Sequence, residues 1–400
     1  MRRTTEAANA ACFHGGAFFE AIGAGFGSLE RRNAVVNADV LDAWFPPAPG
    51  VLAALSEHLD WLARTSPPTH SEGMRAAIAA ARGIPEDAVL PGAGSSDLIF
   101  LAFREWMTPD SRALLLDPCY GEYAHVLERV IGCRVDRFAL DRADGWAPDI
   151  DALAAQLASG RYDAFVLVNP NNPTGHHLPR ATVLRLLDAV PATTRVWIDE
   201  AYLEYVAPGD SMERIAAASA NVFVCKSMSK VYALSGMRAA YLIGSPSTIA
   251  RLGSLTPPWA VSLPAQLASV RALDDPGYYA RRWRETAALR ARLRGMLERI
   301  PGVDEVTGNA NFLLVHLDPT GPTAAEVIDR CRTDNVYLRN ISPMGTRLGA
   351  HVLRTAVKNT SRNSAIASAI ARALGQGHRA EVHARGCQLI GSRAVARVRP

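Results

Sequence analysis

The chain has 400 residues, with 43 lysines and arginines against 39 aspartates and glutamates, a net charge of +4. Five arginines and one glutamate in residues 376–400 account for that excess, so the remainder is balanced and offers no broad positive face for nucleic acid. A composition 48% hydrophobic and 20% charged, without an apolar run near the roughly 18 residues of a membrane span, predicts a soluble globular protein.

Only three cations are lysines: Lys226, Lys230 and Lys358. The six cysteines (12, 119, 133, 225, 331 and 387) are scattered, with no CxxC pair, which predicts reduced thiols and a cytoplasmic protein. The opening Met1-Arg2-Arg3-Thr4-Thr5-Glu6 lacks the apolar stretch of a secretory signal.

In chain order, Gly92-Ala93-Gly94-Ser95-Ser96-Asp97 opens a helix predicted over Leu98–Trp106. Ala113–Asp117 reads as a buried strand. Tyr123, Val126, Leu127, Val130 and Ile131 then fall on one face of a helix. Strands are predicted at Ala164–Val168, Val196–Asp199, Val222–Cys225 and Ala239–Ile243, with a helix over Thr182–Val190. Apolar strands alternating with helices imply a mostly parallel sheet covered on both faces, with ligands at the carboxyl ends of its strands.

Beyond Pro257-Pro258 the pattern changes to an arginine-rich helix from Tyr278 to about Ile300. Strands at Asn311–Leu317, Val336–Arg339 and Val352–Val357 follow, and a helix over Ser364–Leu374. The expected architecture is α/β, with a large three-layer domain and a smaller α+β domain. Residues 1–45 form a segment packing on the small domain, 46–258 the large cofactor-binding domain, 259–375 the small domain and 376–400 a disordered basic tail.

Five pieces fall at strand ends. The Gly92–Asp97 loop, with Ser95 and Ser96, offers hydroxyls and free N–H groups to a phosphate, although a plain helix cap reads the same way. Asp117-Pro118-Cys119-Tyr120 ends a strand in an aromatic ring. Asn169-Pro170-Asn171-Asn172-Pro173-Thr174-Gly175 is a rigid turn that orients Asn172. Asp199 ends an apolar strand with Tyr202 three residues on; a structural salt bridge is the alternative reading of that carboxylate. Ser227-Met228-Ser229-Lys230, with Arg238 following, places a lysine among hydroxyls just past a strand. That is a setting for a Schiff-base amine. Together the pieces describe a pyridoxal 5′-phosphate site: a lysine, a carboxylate for the ring nitrogen, an aromatic platform and a phosphate cradle. His176-His177 lacks further ligands at metal spacing, and no GxGxxG follows a strand.

On these motifs the chain, from about His14 to Leu374, resembles the fold-type-I, class I/II pyridoxal-phosphate aminotransferases. It is most similar to the branch of histidinol-phosphate aminotransferase and threonine-phosphate decarboxylase. The resemblance implies that Lys230 binds the cofactor's aldehyde carbon and Asp199 pairs with the ring nitrogen. Tyr202 and Asn172 would bond the ring oxygen and Tyr120 would stack on the ring. Ser95, Ser96, Ser227, Ser229 and Arg238 would hold the phosphate.

By the same resemblance Arg354 clamps the substrate's α-carboxylate, Arg339 contacts the substrate's own phosphate, and His14 assists it. Asn37 is the best match for a substrate-contacting asparagine, although Asn37–Phe45 departs from the family's Asn-rich, Gly-ending loop. A tyrosine that usually crosses the dimer interface is replaced by Thr65-Ser66-Pro67-Pro68-Thr69-His70, with His70 as the candidate substitute. The implied protein is a homodimeric aminotransferase for a small phosphate- or phosphonate-bearing amino acid. The alternative is an α-decarboxylase of such a compound. A non-catalytic cofactor-binding regulator is more remote, since the chain has no room for an added DNA-binding domain.

Overall fold

The computed structural model describes residues 15–375. His14 and the basic tail therefore lie outside the described residues. A short strand β1 (Val36–Asn37) leads into the large sheet, formed by β2 (Val89–Gly92), β3 (Arg112–Asp117), β4 (Arg134–Ala139), β5 (Ala164–Val168), β6 (Arg195–Asp199), β7 (Val222–Ser227) and β8 (Ala240–Ile243). Their order is β2-β8-β7-β6-β5-β3-β4. The sheet is parallel except for β8, which runs antiparallel to both neighbours.

The central strands are buried on both faces, and their alternating side chains feed two separate cores. Leu114, Leu116, Phe165, Leu167, Val196, Ile198 and Val224 point to one core. Ala113, Leu115, Val166, Val168, Trp197, Phe223 and Cys225 point to the other. This two-sided burial is why these strands are continuous apolar runs.

The smaller sheet contains β9 (Val303–Thr307), β10 (Phe312–Leu317), β12 (Arg339–Asn340) and β13 (Val352–Ala356), in the antiparallel order β12-β13-β10-β9. Its core gathers Leu293, Leu297, Phe312, Leu313, Val315, Leu353, Ile366 and Ile370. β11 (Val336–Tyr337) pairs in parallel with β1, tying the early chain to this half of the molecule.

Two expectations need correction. The run Val336–Arg339 is not one strand: its first half joins β1 and its second half joins β13. Val261, Ala265, Ala268, Ala272, Tyr278 and Tyr279 belong to the large sheet's core, and Leu289, Leu293 and Leu297 to the small one. The helix Leu263–Leu273 packs its apolar face on the first core, and the helix Pro276–Leu297 reaches from the first core to the second. The helix predicted after β3 also differs, because His125–Ile131 is π-helical. Its wider turn leaves Val130 exposed while Val126 and Leu127 stay buried.

Candidate active site

β7 runs directly into a single helical turn, Met228–Val231, that carries Lys230. Ser227 caps this turn, its Oγ accepting from the Ser229 N–H at 3.3 Å. The Lys230 carbonyl accepts from the Tyr205 hydroxyl at 2.7 Å, which fixes the turn from below. The lysine's Nζ donates to Asp42 Oδ1 at 3.2 Å. Burial pulls its pKa below the usual lysine range, against the opposing pull of Asp42.

Asp199 ends β6 and is only 5% exposed. Its Oδ2 accepts from the Tyr123 hydroxyl at 2.7 Å and its Oδ1 from the Ala201 N–H at 3.0 Å. Tyr123 is itself held by the Trp197 Nε1–H at 2.8 Å. Burial pushes the carboxyl up to about 6, despite the Tyr123 hydrogen bond that favours the charged form. Tyr123 is a site residue that the sequence reading placed only on a helix face. The signal available was a second phenol three residues after Tyr120.

The turn after β5 is built as its composition implied. Asn169 bonds both the N–H and the carbonyl of Leu178, and Asn171 donates to the Pro118 carbonyl at 3.0 Å. Gly175 has φ +70°, and a Cβ there would lie 2.7 Å from Gly308 Cα, so no larger residue fits. Asn172 Nδ2 donates to the Tyr202 hydroxyl at 3.4 Å, and its Oδ1 accepts from Arg354 Nη1 at 2.6 Å. Burial lowers the Arg354 pKa to about 10, and its Nε has no hydrogen-bond partner among the described residues.

Arg354 on β13 lies directly across from Arg339 on β12. Arg339 Nη1 is 3.4 Å from Asp39 Oδ1, while Arg354 Nη2 donates to the Asp39 carbonyl at 3.1 Å. Tyr120 donates to Glu122 at 2.7 Å, with its ring edge-on to Tyr123.

On the remaining side, Ser95 begins the helix Ser95–Trp106, preceded by Gly94 at φ +96°. The Arg238 guanidinium fills the space where a Cβ of Gly94 would stand, 2.5 Å from Nη2. Arg238 itself adopts φ +57°, a strained value for a side-chain-bearing residue. Its Nη1 donates to Ser229 Oγ at 3.5 Å. A guanidinium and a helix N-terminus thus converge on one point, an arrangement suited to an anion.

These residues line two adjoining cavities. Ser95, Tyr120, Asn172, Asp199, Tyr202, Ser227 and Lys230 line the first. Asp39, Tyr120, Asn172, Tyr202, Lys230, Arg339 and Arg354 line the second. Ser96 follows Ser95 in the helix's first turn, and Ser229 lies buried behind the guanidinium, outside the cavity lining.

Asn37 is not in the lining of either cavity, but its Nδ2 donates to Asp42 Oδ2 at 3.5 Å, on the aspartate that pairs with Lys230. Its Oδ1 accepts from the Val40 N–H at 3.1 Å, a local turn bond that asparagine forms readily, and it lines a separate cleft with Lys358 and Arg362. That same turn sends Asp39 and Asp42 toward the cations instead. His70 borders a distinct apolar cavity with Val89, Ile249 and Val261. His177 Nε2 is 3.3 Å from Asp210 Oδ2.

The donor set fits pyridoxal 5′-phosphate. A buried carboxyl with a raised proton affinity, hydrogen-bonded by a phenol and an N–H, suits a pyridine nitrogen that carries a proton. The helix N-terminus, hydroxyls and Arg238 suit a phosphate, and Lys230 stands between the two.

A family model, aminotransferase class I and II, matches residues 45–370. Histidinol-phosphate aminotransferase 2 of Ralstonia nicotianae is 32% identical over 325 residues, covering 81% of this chain and 84% of that protein. Histidinol-phosphate aminotransferase from Sinorhizobium meliloti, solved in complex with pyridoxal-5′-phosphate, shares the fold with TM-score 0.79 at 20% identity, over 93% of this chain and 97% of that one. L-threonine-O-3-phosphate decarboxylase from Porphyromonas gingivalis gives TM-score 0.72 at 22% identity, over 84% and 98%. The chain belongs to the class I and II aminotransferase family.

Proposed function

We propose that this chain is a pyridoxal-phosphate-dependent aminotransferase acting on a small amino acid that bears a phosphate or phosphonate. The observation that carries the reading is the juxtaposition of Lys230 and Asp199 in one cavity with Arg354 and Arg339 in the next. Bound there, the cofactor supplies an electron sink for negative charge at the substrate's α-carbon. Arg354 holds the α-carboxylate, for which its buried, partly unpaired guanidinium is suited. Lys230 takes up and returns the α-proton at Nζ, a task that its lowered pKa favours. Asp199 keeps a proton at the ring nitrogen, and Tyr202 with Asn172 bonds the ring oxygen. Tyr120 covers the ring and excludes water. Ser95, Ser96, Ser227 and Arg238 would hold the cofactor's phosphate, with Ser229 accepting from the Arg238 guanidinium at 3.5 Å behind it, and Arg339 faces the substrate's distal group; His14, the further contact that the family resemblance implies, lies outside the described residues.

The same residues serve α-decarboxylation if the α-carboxylate is turned out of the ring plane, a second reading favoured by the likeness to the threonine-phosphate decarboxylase fold. A homodimer, as the family resemblance implies, would give cover to exposed apolar side chains such as Leu52 and Leu59, which share one face of the helix Pro49–Arg64. Among the described residues no helix is long and apolar enough to cross a membrane, and Cys119, Cys133, Cys225 and Cys331 are free and buried. Both facts are compatible with the proposed cytoplasmic location.

The test is to supply O-phosphoamino acids and phosphonoalanine with an α-keto acid acceptor and measure keto acid against CO2. Keto-acid product with a visible absorbance band that borohydride abolishes is the expected result, and Lys230→Ala should remove both. Stoichiometric CO2 without keto acid would assign the decarboxylase reading instead.

A further inference from the structure

A cavity of about 370 Å³, sharing no residue with the two of the active site, opens between the end of the helix Glu72–Arg82, the start of the helix Arg180–Ala189 and the loop 208–214. That volume lies within the range of small-ligand pockets, roughly 300–1,000 Å³. Its wall is basic: Arg82, Arg180 and Arg214 line it, with Ser211 and Glu213.

Each guanidinium is held there by neutral groups. Arg82 donates from Nε to the Tyr241 hydroxyl at 2.9 Å and from Nη2 to the Tyr232 hydroxyl at 2.8 Å. Arg180 Nη1 donates to the Ser211 carbonyl at 2.5 Å. Arg214 Nε donates to the Arg82 carbonyl at 3.4 Å, and its Nη2 lies 2.9 Å from where a Cβ of Gly83 would stand. A guanidinium carries five N–H donors in a rigid fork, and the bond that orients Arg180 or Arg214 uses one of them.

Glu213, the carboxylate of this lining, is 6% exposed and already shared. Its Oε1 accepts from the Tyr241 hydroxyl at 2.9 Å and lies 3.3 Å from Arg82 Nε, while its Oε2 is 3.0 Å from the Ser211 hydroxyl. Arg82 therefore balances Glu213, and Arg180 and Arg214 bring the surplus charge. Asp210 meets Arg180 at the main-chain N–H, 3.3 Å from Oδ2, and His177 Nε2 approaches the same oxygen at 3.3 Å. Cations gathered around one cavity repel one another, and an oxyanion between them turns that repulsion into charge-assisted hydrogen bonds.

We propose that this cavity is a second anion site, separate from the cofactor's phosphate cradle and from the substrate cavity. It takes the phosphate group of a small phosphate monoester or of free phosphate, held by Arg180, Arg214 and Arg82. The inference stands apart from the proposed reaction.

The test is calorimetric titration of the cofactor-loaded protein at pH 8 with inorganic phosphate and with methyl phosphate, chloride holding the ionic strength constant. The cofactor's own phosphate then fills the cradle at Arg238, and an Arg339→Gln background weakens phosphate binding in the substrate cavity. One saturable site per chain is expected in that background for at least one probe, with a rise in melting temperature that saturates over the same concentrations. Tighter binding of methyl phosphate assigns the site to phosphate esters, and tighter binding of inorganic phosphate to the free anion. Adding Arg180→Gln and Arg214→Gln should weaken binding by about tenfold or more and abolish the rise. Arg214→Gln alone, at an exposed side chain, should weaken it several-fold. A site retained at full affinity in the folded protein lacking both arginines would overturn the proposal. So would titrations of both probes that show no saturable site in the protein that keeps them.

Discussion

Lys230 Nζ lies 3.2 Å from Asp42 Oδ1, an ion pair spanning the large sheet and the segment that follows β1. Burial drives the lysine toward its neutral form, and Asp42 resists that drive. The aspartate is in turn held below the ordinary carboxylate range: burial is the largest single influence and raises it, but Lys230, Ser235 and Lys358 together outweigh burial. Lys358, whose Nζ donates to the Asp42 carbonyl at 3.0 Å, is pushed down by burial to about 8.

Asp42→Asn removes what keeps Lys230 charged, so a larger fraction is neutral near pH 7. Capture of pyridoxal phosphate by the apoprotein needs the neutral amine. Its rate should therefore rise several-fold at pH 7, with the difference closing as pH approaches the lysine's own pKa. Stopped-flow absorbance across pH 6–10 checks this. A uniform change at every pH would mean that Asp42 acts through long-range charge and not through the lysine's protonation.

Asp199 provides a trade between stability and function. Its folded-state pKa is about 6, against an ordinary value of 3.8. Between those values the folded state holds a proton that the unfolded chain releases, so stability falls as pH rises through the window. The full penalty above pH 6 is on the order of 3 kcal/mol. Asp199→Asn should raise the melting temperature of the apoprotein at pH 8, an advantage that disappears near pH 4. The same variant should lower turnover of the loaded enzyme by a hundredfold or more. A melting temperature unchanged at both pH values would mean that the carboxylate is not strained in the apoprotein.

The pieces of this site that were legible in the sequence are those that sit at strand ends. β3, β5, β6 and β7 are buried on both faces, so their apolar runs announced themselves and located Tyr120, Asn172, Asp199 and Lys230 at their exits. The edge strands were hidden for the opposite reason. β4 reads Arg-Val-Asp-Arg-Phe-Ala with exposed positions throughout, and β2 contains Pro91 and Gly92, which imitate a turn. Asp39 and Asp42 escaped because their partners lie 300 and 188 residues away, at Arg339 and Lys230. Local pattern carries no trace of pairs so distant. Asn37 was preferred to them for its residue type; its Oδ1 accepts from the Val40 N–H of its own turn and its Nδ2 donates to Asp42.

His316 on β10 predicts the acid limit of the small sheet. It is buried and stacked on Trp146 with ring centroids 5.9 Å apart. Burial, helped by nearby Arg142, lowers its pKa from 6.5 to about 4. The unfolded chain binds a proton at this residue that the folded state refuses, so stability is lost as pH falls from 6.5 toward 4. The loss is on the order of 3 kcal/mol at the lower end. His316→Phe keeps a flat ring against Trp146 and removes the titration. The drop in melting temperature between pH 7 and pH 4.5 should shrink relative to wild type. An equal drop would assign acid sensitivity to other groups.

Lys226 lies beneath the cofactor cavity rather than in it. It ends β7 beside Ser227, with Nζ 3.0 Å from Glu200 and 2.8 Å from Glu204. Glu200 is the neighbour of Asp199, so the bridge locks the exits of β6 and β7 together. Arg82 joins the cluster through Glu213 at 3.3 Å and through the hydroxyls of Tyr232 and Tyr241. Burial disfavours the ammonium, but Glu204 and Glu200 outweigh it and hold the Lys226 pKa above its usual range. Lys226→Met would leave Glu200, Glu204 and Glu213 facing Arg82 alone, with an expected stability loss of about 3–5 kcal/mol. Because the lost bridge aligns Asp199 with Ser227, cofactor affinity should weaken by about tenfold even where the variant remains folded. Adding Glu204→Leu to Lys226→Met removes an uncompensated charge and should recover part of the stability, but not the affinity, since Glu200 still lacks its partner. Recovery of both in parallel would mean that the cluster contributes only to folding, with no role in aligning the cofactor residues.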